Sequence, residues 1–463
     1  MEDLGLNASA SKAASLRVRL LRAGGWTLSG HFIGLLFRLV SNLIMSRLLA
    51  PELFGIMAIS SVIQIVTALL SDIGLRQAIV QHARAEDPSF RNSAWTLQVV
   101  RGCWIWAICL LAAGGLRLAN LGGLLPATSV YAASGLPAVV AVSSFSSVIS
   151  GLQSMKALMQ TRNIDLKRIT LIELSAQIIA LLVAIPLAFY THSIWAFVAS
   201  GLISSAVTTL LSHFWLYGPR DRLEWNSEEI REIVHFGKWI FLTSALAVLA
   251  SNADRLLLGV WLGPAELGYY SIALNLASVA DGLADRLFTN VAFPLFSEVA
   301  RNRPSEVSIV YLRGRLLSDS LLLATAGFLF AAGRSIVGIL YDPRYAEVGQ
   351  ILQILSFGLV FTRFNLAHTL YISLGRPDYV TIISMTKFVS LLMFVPALFY
   401  AFGFYGAIAG VAFHMLPCAL IVFFYDYKHD FHRTLFEGGI ALIWPLGWLI
   451  GHAFSALVTS LKI

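Results

Sequence analysis

Arginine side chains occur inside apolar stretches of this chain, where a charge needs a partner or water. Arg38, Arg255 and Arg363 fall in three separate apolar stretches. A charge at the centre of a bilayer costs about 3 kcal/mol or more unless it faces a polar cavity or pairs with another group. Guanidinium groups bind phosphate oxygens through two parallel hydrogen bonds. We therefore expect an electropositive chamber that binds an anionic group, for which a pyrophosphate is a good candidate.

Two further polar residues extend this candidate substrate site. Asn42 follows Arg38 by one helical turn and shares its face, and Lys387 lies in another apolar stretch. The alternative for each arginine is neutralisation within a helix bundle, for example by a pair between Arg38 and Asp281. The sequence leaves both interpretations open. The candidate substrate-binding residues are Arg38, Asn42, Arg255, Arg363 and Lys387.

Three aspartates form the candidate ion-coupling site. Asp281 and Asp285 lie one helical turn apart, and Asp254 directly precedes Arg255. A carboxylate inside a membrane bundle can bind a proton or a sodium ion, and one elementary charge that crosses the membrane is worth about 2.3 kcal/mol per 100 mV. The alternative for Asp254 and Arg255 is that they neutralise each other.

The elements that hold these side chains are predicted to be membrane helices. The apolar fraction is 57%, charged residues make up 13% and the mean hydropathy is +0.74, whereas a soluble domain carries about 25% charge. A helix of about 20 apolar residues spans the hydrocarbon core. The sequence therefore predicts an all-α polytopic membrane protein. Thirteen predicted spans cover residues 27–48, 54–73, 94–116, 129–151, 169–190, 194–216, 238–261, 267–290, 315–337, 350–373, 379–401, 404–425 and 438–460.

An internal repeat predicts how these spans are arranged. The turn at residues 48–55 resembles the turn at residues 261–268, because each has a proline, an acidic residue close behind it and a glycine. Six predicted spans separate the two copies, so the halves run in the same direction, as in transporters built from parallel repeats. We expect two six-helix lobes that form a V-shaped central cavity, followed by one or more extra helices.

Basic residues predict the orientation and the boundaries of these parts. With the N-terminus in the cytoplasm, most of the 33 Lys and Arg residues fall in cytoplasmic segments, as the positive-inside rule requires. The last segment contains Pro445, Gly447 and Gly451, so it is predicted as one kinked span, a re-entrant pair or two short helices. The predicted parts are a basic N-terminal segment at 1–26, an N-lobe at 27–217, a cytoplasmic linker at 218–237, a C-lobe at 238–425 and a C-terminal extra region at 426–463.

Signatures of catalysis are missing from the sequence. It contains neither a GxxxxGK[ST] phosphate-binding loop nor an HExxH or GxSxG motif. The three cysteines lie within apolar stretches and lack CxxC spacing. We therefore expect a protein that is not an enzyme and that uses no cofactor or metal. Because the basic residues are scattered among membrane loops, nucleic acid is not an expected partner.

Longer motifs resemble a known family. Residues 46–55 read SRLLAPELFG, residues 70–81 read LSDIGLRQAIVQ, and residues 252–259 read NADRLLLG, followed by Gly263-Pro264 and by LGYY at 267–270. Together they resemble the two signatures of the Wzx-type polysaccharide transporters, which are lipid-linked oligosaccharide flippases of the multidrug/oligosaccharidyl-lipid/polysaccharide superfamily. The resemblance extends over most of the chain in the pattern of its spans.

This resemblance implies a multi-pass protein of the bacterial inner membrane. Its expected cargo is an undecaprenyl-pyrophosphate-linked oligosaccharide, moved from the cytoplasmic to the periplasmic leaflet for exopolysaccharide, capsule or O-antigen assembly. Arg38, Arg255 and Arg363 match the family's cationic cavity residues in type and depth. The expected partners are the lipid-linked oligosaccharide, membrane lipids, and a polysaccharide polymerase and co-polymerase. The alternatives are a multidrug/cation antiporter of the same fold and a membrane scaffold that moves no cargo.

Overall fold

The computed structural model describes residues 25–26, 29–30, 32–71, 75, 79, 82–163, 165–431 and 434–461. Within these ranges the secondary structure is helical, and strands are absent. The prediction of an all-α polytopic membrane protein is thereby confirmed. Most of the basic N-terminal segment and Asp72 lie outside the described residues.

Helices of very different lengths follow one another through the described chain. Their bounds are α1 (32–48), α2 (Pro51–Leu70), α3 (Pro88–Leu121), α4 (Leu136–Ser143), α5 (Ser146–Gly151), α6 (Lys156–Arg162), α7 (Lys167–Thr191), α8 (Trp195–Phe214), α9 (Ser227–Trp261), α10 (Pro264–Leu287), α11 (Phe293–Asn302), α12 (Val307–Leu340), α13 (Ala346–Thr362), α14 (Asn365–Ser373), α15 (Pro377–Phe413), α16 (Leu416–Lys428), α17 (Thr434–Ala441) and α18 (Ile443–Ser460). A five-residue π-helical turn, Phe288–Ala292, separates α10 from α11.

Proline and acidic residues explain where several of these helices begin. Proline at the first position starts α3 and α10, because a helix leaves that N–H group unpaired and proline has none. The side chain of Asp87 accepts a hydrogen bond from the Ser89 N–H group at 3.2 Å. Glu266 Oε2 accepts a hydrogen bond from the N–H group of Gly263 at 3.0 Å. Such contacts satisfy donors that the first turn of a helix leaves unpaired.

Eight helical segments of the described chain are long and apolar enough to cross a membrane, or nine if a pair bent by 64° at residues 136–162 is one span. Two predicted spans, 379–401 and 404–425, lie in one such segment, Pro377–Lys428. The chain bends within it at Gly403, whose φ of 65° favours glycine. The C-terminal region forms a single segment, Phe436–Ser460. The total of thirteen spans stays a prediction.

The chain divides into two compact units. The first comprises Met1–Leu49, Ile59–Ala127 and Tyr131–Leu249, and the second comprises Ala50–Ala58, Thr128–Val130 and Ala250–Ile463. The division falls inside α9. That helix already begins at Ser227, so the second half of the predicted linker is helical.

The two repeated turns meet each other within the second unit. A Cβ atom placed on Gly55 would collide with the carbonyl oxygen of Pro264, and one placed on Gly268 would collide with that of Pro51. The contact is reciprocal, as expected at an axis of approximate two-fold symmetry. Only glycine at both positions allows the backbones to approach so closely.

Candidate functional site

A cavity of about 500 Å³ lies inside the second unit and contains most of its predicted site residues. Helices α9, α10, α13 and α15 supply most of the side chains, together with the first residues of α14 and of the π-helical turn and the segment that follows α15. Its charged lining residues are Asp254, Asp281, Asp285 and Lys387. Hydroxyl, amide and imidazole groups complete the polar lining at Ser251, Ser278, Thr362, Asn365 and His414. The sequence assigned the three aspartates to ion coupling and Lys387 to the substrate.

Asp281 is the carboxylate with an available acceptor atom. Its Oδ1 atom is shielded from solvent and has no hydrogen-bond partner among the described residues. Thr362, Lys387 and Asp285 line the same cavity as this carboxylate. The Thr362 hydroxyl donates a hydrogen bond to the carbonyl oxygen of Gly358 at 3.2 Å. A buried acceptor without a partner is costly. The atom is therefore suited to bind a proton or a small cation.

Asp254 is already partly engaged. It is 8% exposed and accepts a hydrogen bond from the hydroxyl of Tyr270, which is fully buried. Its neighbour Arg255 donates through Nη1 to Asn252 Oδ1 at 3.5 Å, while the Arg255 Nε atom is shielded without a hydrogen-bond partner in the described chain. Asp254 and Arg255 form no ion pair with each other, because their polar atoms bind Tyr270 and Asn252 instead.

Arg363 lies in a buried ionic cluster and does not line the cavity. Its Nη1 atom is 3.2 Å from Asp319 Oδ2, and its Nη2 atom is 3.4 Å from Glu437 Oε2. Arg315 binds the same two carboxylates, with its Nη2 atom 2.9 Å from Asp319 Oδ2. The Arg363 guanidinium also stacks over the ring of Phe364 at 4.4 Å. Two cations and two anions neutralise one another here, so both terminal nitrogens of Arg363 are engaged with protein groups.

A third buried carboxylate stands beside this cluster. Asp426 is 1% exposed and accepts hydrogen bonds from the hydroxyls of Tyr311 at 3.0 Å and Tyr371 at 2.7 Å. The Arg315 guanidinium lies 5.8 Å from the ring of Tyr311. The sequence analysis did not identify Asp319 and Glu437 as partners of these arginines, or Asp426 as a buried carboxylate beside them. The signal that could have found them is the equal number of acidic and basic residues in the second unit.

Arg38 and Asn42 belong to the first unit, on α1. The side chain of Arg38 is exposed and that of Asn42 is half-buried. Because Arg255, Arg363 and Lys387 belong to the second unit, the five predicted substrate residues do not form one cluster within a single unit.

Outside the membrane-spanning segments, hydrogen bonds join the stretch between α8 and α9 to the start of α3. Glu224 accepts hydrogen bonds from Asn92 Nδ2 at 2.9 Å and from Ser89 Oγ at 2.8 Å. These two hydrogen bonds stabilise the carboxylate and lower the pKa of Glu224 below its ordinary value. Buried Glu229 accepts a hydrogen bond from Ser93 Oγ at 2.9 Å.

No group of three or more His, Cys, Asp or Glu side chains in the described ranges has an arrangement that could hold a metal ion. Of the polar groups around the cavity, the carboxylates of Asp254, Asp281 and Asp285 can accept a proton and attract a cation.

Comparison with known proteins decides the family. Residues 44–350 match the family model described as polysaccharide biosynthesis protein. The chain belongs to this family. The match includes both repeated turns and the aspartates of the cavity, and it ends before Arg363 and Glu437. The prediction of a Wzx-type polysaccharide transporter is thereby confirmed, and the protein is a multi-pass membrane transporter of polysaccharide biosynthesis.

Similar curated proteins carry related names. The lipopolysaccharide biosynthesis protein WzxC of Escherichia coli (strain K12) is 24% identical over 372 residues, which cover 79% of this chain and 72% of that protein. The succinoglycan biosynthesis transport protein ExoT of Rhizobium meliloti (strain 1021) is 21% identical over 339 residues, which cover 72% of this chain and 64% of that protein.

Solved structures of transporters share the fold of the family. A structure of the lipid II flippase MurJ in an inward closed conformation matches with a TM-score of 0.64 and 13% identity, over 95% of this chain and 99% of that chain. An inward-facing multidrug resistance transporter of the MATE family matches with a TM-score of 0.64 and 16% identity, over 85% of this chain and 94% of that chain. At this level of identity the likeness concerns the fold.

Proposed function

We propose that this protein moves an undecaprenyl-pyrophosphate-linked oligosaccharide from the cytoplasmic to the periplasmic leaflet of the bacterial inner membrane. The movement occurs by alternating access, with the N-terminus in the cytoplasm. A cation gradient drives this movement, and the cation binds in the cavity of the second unit. The observation that carries this proposal is the Asp281 carboxylate, which has a shielded oxygen without a hydrogen-bond partner among the described residues. The family and the name of WzxC support the class of cargo.

The cavity has the composition expected of a coupling site. Its carboxylates outnumber its single ammonium group, so it attracts a cation even while Lys387 is charged. A proton on Asp281 or a sodium ion bound to its free oxygen removes part of the repulsion from Asp285. In this mechanism the bound cation lowers the free-energy cost of holding negatively charged carboxylates inside the low-dielectric bundle. Release of the cation resets the cycle.

The head group is assigned to residues that form no ion pair with another residue of the described ranges. Arg38, Asn42 and Arg255 are the proposed substrate residues, because guanidinium groups recognise pyrophosphate oxygens through paired hydrogen bonds. Arg363 is left out of this set, since Asp319 and Glu437 occupy both of its terminal nitrogens. Lys387 lines the cavity together with Asp281, so we assign it to tuning the cation site.

Export of lipid-linked oligosaccharide in a strain that lacks this protein tests the proposal. We expect undecaprenyl-linked oligosaccharide to accumulate in the cytoplasmic leaflet, and the intact protein to restore export. The variants Asp281→Asn and Arg38→Ala should each lower export by about tenfold or more at normal membrane abundance, since each removes a charge that the mechanism requires. The control Arg303→Ala breaks an exposed ion pair with Glu306 and should leave export unchanged. Full export by Asp281→Asn would contradict the coupling site.

An antiporter of drugs or other cations is the second candidate, and the acidic character of the cavity favours it. Uptake of cationic dyes into inverted vesicles distinguishes the two functions. The flippase proposal predicts no dye uptake that depends on Asp281, whereas an antiporter would lose uptake in Asp281→Asn and would leave export of the oligosaccharide intact. A scaffold that moves no cargo predicts normal export by both Asp281→Asn and Arg38→Ala.

A further inference from the structure

The C-terminal helices supply one of the four charges of the buried ionic cluster. Arg315, Asp319 and Arg363 come from α12 and from the segment after α13, while Glu437 comes from α17. Asp319 is fully buried and Arg315 is 1% exposed. Without Glu437, two guanidinium groups would share the single carboxylate of Asp319. The four ion pairs of the cluster are therefore complete only while the C-terminal region is docked.

Close backbone packing fixes the position of this region against α12. Cβ atoms placed on Gly447 and Gly451 would collide with the carbonyl oxygens of Ala324 and Phe328, and one on Gly327 would collide with the carbonyl oxygen of Trp444. Glycines at such positions let two membrane helices approach to backbone contact. Since α18 cannot slide along α12 without breaking this fit, α17 holds Glu437 at a fixed place.

Arg363, which Glu437 binds, lies at a break between two helices at the edge of the cation cavity. Arg363 and Phe364 separate α13 from α14, and the two residues on either side of them, Thr362 and Asn365, line the cavity. Thr362 and Asp281 line the same cavity, and the Thr362 hydroxyl donates to the carbonyl oxygen of Gly358 at 3.2 Å. The ionic cluster and the cavity therefore share one short stretch of backbone, with Arg363 on the side of the cluster and its neighbours on the side of the cavity.

We propose that Glu437 is a positioning residue for the cation site. By holding the Arg363 guanidinium it fixes the break between α13 and α14, and through it the place of the Thr362 hydroxyl beside Asp281. The C-terminal region thereby sets the affinity of the cavity for the coupling cation, although none of its described residues lines that cavity. This inference rests on the proposed function of Asp281 as the cation-binding group.

The affinity for the cation can be measured on the purified full-length protein. Unfolding temperature is recorded against sodium concentration at fixed pH, and against pH without sodium, because a ligand of the native state raises the apparent stability with its concentration. For Glu437→Gln we expect the sodium concentration at the midpoint of the rise in unfolding temperature to change by about threefold or more. This change lies in the range of coupling between residues of one hydrogen-bonded network. Asp281→Asn should abolish the cation-dependent rise altogether.

Two further variants separate positioning from a loss of stability. The double variant Thr362→Ala, Glu437→Gln should have the same midpoint as Thr362→Ala alone, because the effect of Glu437 on the cation site depends on the Thr362 hydroxyl. The double variant Arg363→Gln, Glu437→Gln exchanges a charged pair for a neutral one and should return the midpoint toward that of the unchanged protein. A purely structural role would lower the unfolding temperature of Glu437→Gln equally at all cation concentrations and leave the midpoint unchanged.

The outcomes distinguish this inference from the function on which it rests. If Asp281→Asn alters the cation response while Glu437→Gln, Thr362→Ala and their combination do not, the positioning role is wrong and the cation site stands. If the unchanged protein shows no response to sodium or to pH, both are overturned. If Glu437→Gln cannot be purified, Glu437→Asp withdraws the carboxylate by one methylene and must shift the midpoint in the same direction.

Discussion

The two units of this protein hold their buried cations in different ways. In the second unit, Arg315 and Arg363 are paired with carboxylates. In the first unit, buried Lys156 donates to the backbone carbonyl oxygen of His213 at 2.8 Å, and the more exposed Arg168 donates to that of Trp215 at 2.9 Å. Basic and acidic residues are equal in number in the second unit, so the net charge of +7 belongs to the first.

This difference shows how one membrane protein can provide one unit that suits an anionic ligand and another that suits a cation. A carbonyl oxygen satisfies a donor without cancelling its charge, so the first unit keeps a positive field that suits an anionic head group. A carboxylate cancels the charge of an arginine, so the second unit can bury arginines without attracting anions. Three carboxylates of the second unit that form no ion pair with a described residue, Asp254, Asp281 and Asp285, line its cavity.

The largest effect that sharpens this comparison is expected from Asp319. Asp319→Asn leaves Arg315 and Arg363 with one carboxylate between them, and the loss of a buried partner costs about 3–5 kcal/mol of the free energy of unfolding. Thermal unfolding in detergent measures the loss. The control Glu306→Gln, in an exposed pair with Arg303, should change the stability by less than about 1 kcal/mol. Equal effects of the two variants would show that the buried cluster contributes no more than a surface pair.

A smaller effect is expected when a cation of the first unit is removed. Lys156→Met leaves only a neutral carbonyl oxygen without its donor, which costs about 1–2 kcal/mol. The same unfolding measurement applies, with exposed Lys167→Met as the control. If the loss matched that of Asp319→Asn, the contrast between charge pairing and carbonyl contacts would fail as an account of stability.

The smallest effect concerns pH and the segment between α8 and α9. Because the folded-state pKa of Glu224 is lowered, the stability that its carboxylate provides is present above its ordinary value of 4.5 and is lost as the pH falls through the lower folded-state pKa. Glu224→Gln should therefore lower the unfolding temperature at pH 7, and the difference from the unchanged protein should narrow as the pH falls below about 4.5. A difference that stays constant with pH would assign the effect to the side-chain shape alone.

The sequence was sufficient to predict the helices and the family. The boundaries of α7 (Lys167–Thr191) and α18 (Ile443–Ser460) lie within a few residues of the predicted spans, because a long apolar stretch has few alternatives to a helix in a membrane. The repeated turns were also visible, since Pro51, Gly55, Pro264 and Gly268 mark them at matching positions. The motifs around these turns led to the Wzx-type family without any coordinates.

The sequence could not decide which charges pair. Asp254 and Arg255 are neighbours in the chain yet form no ion pair, while Arg363 is paired with a glutamate 74 residues away. When a helix rotates about its axis, a side chain moves from a position beside a charged partner to one that faces a cavity. The pattern of apolar spans does not determine that rotation. The placement of Asp281 in the cavity and of Arg363 in the ionic cluster therefore emerged only from the packed helices.

By itself the sequence determined that this chain is a helical membrane transporter with charges at membrane depth, because the hydrophobic length of each stretch and the cost of a lone charge are local properties. Only the tertiary structure decided which of those charges are neutralised and which are available to a ligand. The physical reason is that an ion pair forms over distances of about 4 Å, and such distances between different helices are set by side-chain packing.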